Sequence, residues 1–354
     1  MDAEPRHTQA MSKGNERFSG RHVVAFLIIY LVWGSTFGAI HIALESVPPV
    51  LLVGLRFALA GLLLLTVSRL KRRADGTAPS QSLGALWLQA VPVGVALFFL
   101  SGTLLAWSEQ TLPSSTAALL GCASPFFVVL FEWVRTRKAP GAYVLAGLGL
   151  GLSGVAVLVG SGTAPALQSI ALLLGAGTTA FAMLWLARSP EGGLAAVGRQ
   201  MVVGGSLGLV GSALFETRAV AWTTDGALAL VYLVFVGSAL AYCAFAWLLA
   251  RVPASLVSTH AFINPLVAVL LGAWLLSEPV GTSSLLAGGL IVAAVLLLTL
   301  GNRQPRALEG PADASATPQL PRAPRVPAPR VPAMPARRPA RRVPTPAPPF
   351  RHPP

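Results

Sequence analysis

The chain has 354 residues, 54% of them hydrophobic and only 11% charged, with a mean hydropathy of +0.67, whereas an ordinary soluble domain carries about 25% charged residues. This composition argues against a soluble globular protein and for lipid as the solvent. The formal net charge of +13 does not point to a nucleic-acid partner, because residues 303–354 alone hold ten Arg against Glu309 and Asp313. Cys122 and Cys243, the two cysteines, lie inside apolar runs and can build neither a disulfide framework nor a four-ligand metal site. Two free thiols within the bilayer are expected, and no metal or cofactor.

After a polar leader, residues 1–22, apolar stretches of about 20 residues recur, the length a helix needs to cross about 30 Å of hydrocarbon. Ten are expected, over residues 23–43, 48–68, 85–106, 112–133, 140–160, 166–187, 194–215, 225–249, 255–276 and 279–300. The first exceeds a typical signal-peptide core and lacks a small-residue cleavage site, so it is expected to stay attached. Short connections imply antiparallel neighbours in a bundle, and Lys and Arg then set the orientation. With the N-terminus in the cytoplasm, 23 of the 26 basic residues fall inside; Arg218 lies in an outside loop, and Arg56 and Arg199 lie within spans. The expectation is a multi-pass protein of the plasma (inner) membrane with both termini cytoplasmic.

From Arg303 onward 16 Pro and ten Arg fill half of the last 52 residues. Such a segment cannot bury a core. Residues 301–354 therefore read as a disordered cytoplasmic tail of polyproline-II character resting against anionic lipid. A docking tail for a proline-recognising partner or nucleic acid is the alternative.

A shift of 140 residues superposes 100–158 on 240–298 without a gap. Trp107 falls on Trp247, Pro113 on Pro253, Ser115 on Ser255 and Pro125 on Pro265. A shift of 143 places Gly34-Ser35-Thr36 on Gly177-Thr178-Thr179 and Arg56 on Arg199. The chain thus reads as a duplication, residues 23–160 and 166–300. Five spans per copy is an odd number, so the second copy enters the membrane from the opposite face. The charges agree with that inversion: Arg135, Arg137 and Lys138 fall on Leu275, Ser277 and Glu278. Inverted repeats are an architecture of secondary transporters, with the site near the midplane between the halves.

Several segments resemble the EamA family of the drug/metabolite transporter superfamily: Trp33-Gly34-Ser35-Thr36-Phe37, Pro48-Pro49 leading into Leu55-Arg56-Phe57, Pro265 followed 13 residues on by Glu278, and the Gly-rich span from Gly281. The likeness covers 23–300. It implies ten helices, a central cavity and, mostly, export of amino acids, other small metabolites or drugs. In one respect the chain departs from the family: Lys138 holds the position of Glu278 in the first copy, and Glu132 lies nearby but out of register.

Ionisable groups inside spans are costly and usually face an interior or a water-filled cavity. Arg56 lies about 12 Å below its helix end, too deep for comfortable snorkelling; it is either bonded to carbonyls or facing a substrate anion. Arg199 is nearer its end and is expected to snorkel, and Glu132 to pair with Arg135 or Arg137. His260 and Asn264 share a helical face, and Pro265 frees a carbonyl that can line a cavity; Ser124 and Pro125 hold the last two positions in the first copy. If transport is proton-coupled, His260 is the relay candidate, its ordinary pKa of about 6.5 being closest to working pH. Trp33, Trp107, Tyr242 and Trp247 are either packing residues or an aromatic cavity wall suited to a ring-bearing or cationic substrate. Ser35, Thr36, Thr178 and Thr179 either bond polar substrate groups or their own i−4 carbonyls.

No Walker A sequence, H-E-x-x-H or paired intramembrane Asp occurs, so neither ATP use nor catalysis is expected. The expected function is secondary active transport, as an exporter of a small organic molecule, amino acid-like or amphipathic and drug-like. The alternative is a receptor or regulatory interaction protein acting through its tail.

Overall fold

The computed structural model describes residues 19–76, 81–160, 165–187 and 193–303, apart from 253 and 258. Most of the leader, Arg188 and the Pro/Arg-rich tail expected over 301–354 thus lie outside the described residues, the tail from 304 onward. Every regular element among the described residues is a helix. Eight are long and apolar enough to cross a membrane: α1 Gly20–Ser46, α2 Pro49–Asp75, α3 Leu83–Ser108, α4 Ser114–Thr136, α5 Ala142–Gly160, α6 Ala166–Leu186, α7 Leu194–Phe215 and α8 Thr224–Leu249. Two more follow, α9 His260–Leu275 and α10 Thr282–Arg303, whose apolar parts are shorter.

Local chemistry sets the helix ends. Pro49 occupies the first turn of α2, where its missing N–H costs nothing, and Gly76 ends that helix at φ 64°, a left-handed cap. Ser82 caps α3 by accepting from the Ala85 N–H, and Thr223 caps α8 by accepting from the Gly226 N–H at 3.1 Å. The outer surfaces are apolar: Leu88 is 73% exposed and Phe215 82%, as a lipid solvent requires.

Two helices depart from the continuous spans read from sequence. Residues 122–123 break α4 into Ser114–Gly121 and Ser124–Thr136, and the ninth span becomes a one-turn helix, Ala254–Val257, followed by α9 from His260. Wide π turns interrupt α1 at Ile28–Val32, α3 at Gly94–Ser101 and α8 at Leu233–Leu240. Under the shift of 140 the π turns of α3 and α8 coincide to within one residue.

Packing pairs helices five places apart. α2 lies against α7 and α5 against α10; α1 contacts α8 and α9, as α6 contacts α3 and α4. The α2–α7 seam is backbone on backbone, since a Cβ at Gly205 would stand 2.2 Å from the Ala58 nitrogen and one at Gly54 2.6 Å from that of Leu209. Such close approach is how membrane helices gain packing without a hydrophobic driving force between them.

Candidate functional site: a cavity between the two sets of helices

A cavity of about 330 Å³ lies between these helices, walled by α1, α2 and α3 on one side and by α6 to α9 on the other. Its size is that of a small organic ligand. Among the residues singled out from sequence, Trp33, Thr36, Arg56, Thr179, Tyr242, His260 and Asn264 line it.

An aromatic chain forms one wall. His260 packs edge-on against Trp33 at 4.9 Å, Trp33 against Tyr242 at 5.2 Å, Tyr242 against Phe98 at 5.6 Å, and Phe98 against Phe57 at 5.0 Å. The Arg56 guanidinium lies 4.9 Å from the Phe57 ring centre and ends the chain. Tilted and edge-on geometries are those the ring quadrupoles favour. The π turn of α3 directly precedes Gly102 and that of α8 ends two residues before Tyr242, both lining residues, so irregular backbone sits where it borders a cavity.

Arg56 Nε donates to Ser238 Oγ at 2.9 Å. Among the described residues no carboxylate stands within ion-pair distance of it; the one ion pair found there is Arg135–Glu132, 3.4 Å apart on the surface. Of the two roles open to Arg56, carbonyl bonding is thus not what its Nε does, and the side chain faces the cavity. His260 Nδ1–H donates to the Val257 carbonyl at 2.9 Å. This fixes the proton on Nδ1 and leaves Nε2 as the acceptor in the neutral ring. Asn264 is assigned the amide orientation in which its nitrogen donates to the carbonyls of His260 at 3.0 Å and of Tyr30, in the π turn of α1, at 3.2 Å, because the opposite orientation would set oxygen against oxygen. The carbonyl freed by Pro265 is that of Ala261, and it accepts from the Cys122 thiol at 3.5 Å.

The remaining residues fall elsewhere. Ser35 bonds Tyr232 Oη and its own helix at Val32, and Thr178 bonds its own Gly175 carbonyl. Thr36 also bonds within its helix, at Trp33, although it lines the cavity. Trp247 stacks on His22 and under Arg251 at a bundle end. Trp107 is 36% exposed, and neither it nor Ser124, Pro125 or Pro265 lines the cavity. Arg199 is only 5% exposed and borders a second pocket, at the end where Arg69, Arg72 and Arg73 cluster.

Three groups of note, Ser101, Gln200 and Glu109, went unremarked in the sequence. Ser101 Oγ and Thr179 Oγ1, 2.8 Å apart, join α3 to α6 at the cavity, and Gln200 of α7 completes its polar edge. Glu109, one residue beyond α3, is fully buried, with neither carboxylate oxygen hydrogen-bonded among the described residues. Burial, and to a lesser extent the charge of Glu278, holds its carboxyl well above the ordinary carboxylate range, while Arg56 opposes the shift. A lone acid between two apolar runs, four residues before Pro113, was the available signal.

Glu278, carried by the family resemblance, does not enter the cavity. Its carboxylate accepts from the Ser114 and Ser115 N–H groups at 2.7 and 3.1 Å and from Ser115 Oγ at 2.6 Å, so it sits on the N-terminus of α4. Burial alone would raise its pKa, but the bonds from Ser115 and Ser114 outweigh it and hold the group below the ordinary range.

A multi-pass helical bundle enclosing a ligand-sized, mostly apolar cavity with a few convergent polar groups is the architecture of a membrane transporter. The chain belongs to the EamA-like transporter family, whose profile matches residues 21–160 and again 165–300. It is 32% identical over 289 residues to YedA of Escherichia coli K12, an uncharacterised inner membrane transporter, covering 78% of this chain and 90% of that one. YvbV of Bacillus subtilis, an uncharacterised transporter, is 27% identical over 285 residues with the same coverage. An S-adenosylmethionine/S-adenosylhomocysteine transporter of Chlamydia muridarum is 30% identical over 141 residues, 38% of this chain and 43% of its own length. A solved crystal structure shares the fold at a TM-score of 0.53 and 23% identity, over 80% of this chain and 98% of that one.

Proposed function

We propose that the chain is a secondary active exporter of a small organic metabolite, built from ten spans in two inverted five-helix repeats, residues 23–160 and 166–300, and working by alternating access in the inner membrane with both termini cytoplasmic. The observation that carries this reading is the cavity with an aromatic wall, Arg56 at one end of that wall and His260 at the other. Helix pairing that maps onto itself when each helix is exchanged for the one five places on supports the repeat, and the placement of basic residues supports the orientation.

The substrate class follows from the wall. Ring faces over a path from His260 to Phe57 favour a planar or ring-bearing body, and a guanidinium facing the cavity with no carboxylate partner among the described residues favours an anionic group such as a carboxylate. An amino acid-like or amphipathic molecule satisfies both. The Chlamydia relative agrees in kind, since S-adenosylmethionine combines a ring system with an amino acid group. His260 Nε2, free to take a proton, is the relay in a proton-coupled cycle.

Flux from proteoliposomes loaded with labelled aromatic amino acids and aromatic cations, with and without a pH gradient, tests this. Gradient-dependent release of one class is expected. Arg56→Gln cuts release of carboxylate-bearing substrates at least tenfold, and His260→Ala abolishes the pH dependence. Absence of flux from correctly inserted protein overturns the reading.

A further inference from the structure

The second pocket has a volume of about 460 Å³ and lies at the end of α2, α3 and α7 remote from Glu278. Arg69, Arg72 and Arg73, at i, i+3 and i+4 on the last turns of α2, share one helical face; Arg199 of α7 enters the same pocket. Arg199 is only 5% exposed and lies within electrostatic reach of Arg72. No acidic side chain is among the described residues that line the space. The guanidinium groups of Arg69, Arg72 and Arg73 on one helical face repel one another, and a multivalent anion seated against them reverses the sign of that interaction.

We infer that this pocket binds a phosphate-bearing anion. Guanidinium forks match phosphate oxygens two at a time, in a geometry that a cluster of ammonium groups would not reproduce. Trp87 and Leu86 of α3 supply an apolar side to the pocket, and Leu88 beyond them is 73% exposed toward lipid. The site therefore stands at headgroup depth, with phosphate on the arginines and room for acyl chains along α3; basic pockets between spans are known lipid headgroup sites. A phospholipid and a soluble phosphate compound offer the same chemistry to the arginines. The site is separate from the central cavity, so the inference does not depend on what the cavity carries.

Thermal unfolding of the full chain in detergent, titrated in parallel with cardiolipin, phosphatidylcholine and pyrophosphate, tests it, together with native mass spectrometry of retained adducts. Stabilisation by cardiolipin alone identifies a lipid phosphate; stabilisation by pyrophosphate as well identifies a soluble one. In either case the half-saturating concentration rises at least tenfold in Arg72→Gln/Arg199→Gln and stays unchanged in the tail variant Arg337→Gln/Arg338→Gln. Should the first double variant fail to fold, Arg69→Gln/Arg73→Gln, at exposed positions, reads the same quantity. No stabilisation by any anion, equal stabilisation by phosphatidylcholine, or a shift that survives in the pocket variants overturns the inference.

Discussion

The two ends of the bundle are fastened differently. At the end bearing Glu216 and Glu278, loops of the second half reach across and cap helices of the first. Glu216 accepts from the Val50 and Leu51 N–H groups at the start of α2, at 2.8 and 2.9 Å, and Glu278 does the same at the start of α4. Arg218 donates to the Leu44 and Glu45 carbonyls where α1 ends, at 3.0 and 2.6 Å. Each charge has the sign that the helix terminus favours. In the first copy the position matching Glu278 is Lys138, whose ammonium donates hydrogen bonds and accepts none, so it cannot cap the N-terminal N–H groups of a helix as Glu278 does. A duplicated chain need not carry the same cap in both copies: an ammonium in place of a carboxylate cannot accept the bonds that Glu278 accepts.

This contrast can be broken at its strongest point. Glu278→Lys removes three hydrogen bonds and puts a cation on an N-terminus, and is expected to lower stability by about 4 kcal/mol, read by thermal unfolding in detergent. Glu216→Ala removes two bonds to α2 and costs about 2 kcal/mol by the same measurement. The pH dependence sharpens the comparison. The pKa of Glu278 is lowered by folding, so its contribution is present above the ordinary carboxylate pKa and is lost as pH falls through the folded value; the latch holds at neutral pH. Glu109 behaves oppositely: its pKa is raised by folding, so stability falls as pH rises from the ordinary carboxylate value toward the folded one. Glu109→Gln is expected to flatten that fall in an unfolding series from pH 5 to 9, and an unchanged slope would show that the buried acid is not its source. Smallest of all, Lys138→Ala, at an exposed position, shifts stability by no more than about 0.5 kcal/mol.

Much of the helical layout was legible because hydrocarbon dictates it: a segment near 20 apolar residues long between charged turns has few alternatives to a spanning helix. Trp33, Arg56 and His260 could be singled out because a polar or amphipathic side chain at that depth needs a reason to be there. What stayed hidden depends on tertiary contact. The π turn of α8 follows no local breaker, since Leu233–Leu240 reads as an unremarkable apolar run, whereas the break at residues 122–123 adjoins Pro125 and the π turn of α3 adjoins Pro92. Ser35 and Thr36 are neighbours of one chemical kind, yet only Thr36 borders the cavity, while Ser35 meets Tyr232; face, not composition, separates them. Glu109 sits in what reads as a connecting turn, yet it is fully buried and within electrostatic reach of Glu278 and Arg56, both distant in sequence.

The π turns carry a consequence for phase. Such a turn holds one residue more than an α-helical turn needs, so side chains beyond it are rotated by about 100° from where an unbroken helix would put them. In α8 this means that a wheel drawn through residues 224–249 assigns Tyr232 and Tyr242 to faces they do not share in the folded chain. The two halves of α3, and likewise of α8, are therefore out of phase by design: the part before the turn is keyed to one set of neighbours and the part after it to the cavity. A single-residue deletion there would leave hydropathy and span length almost untouched while turning the wall residues Gly102 or Tyr242 away from the space they border.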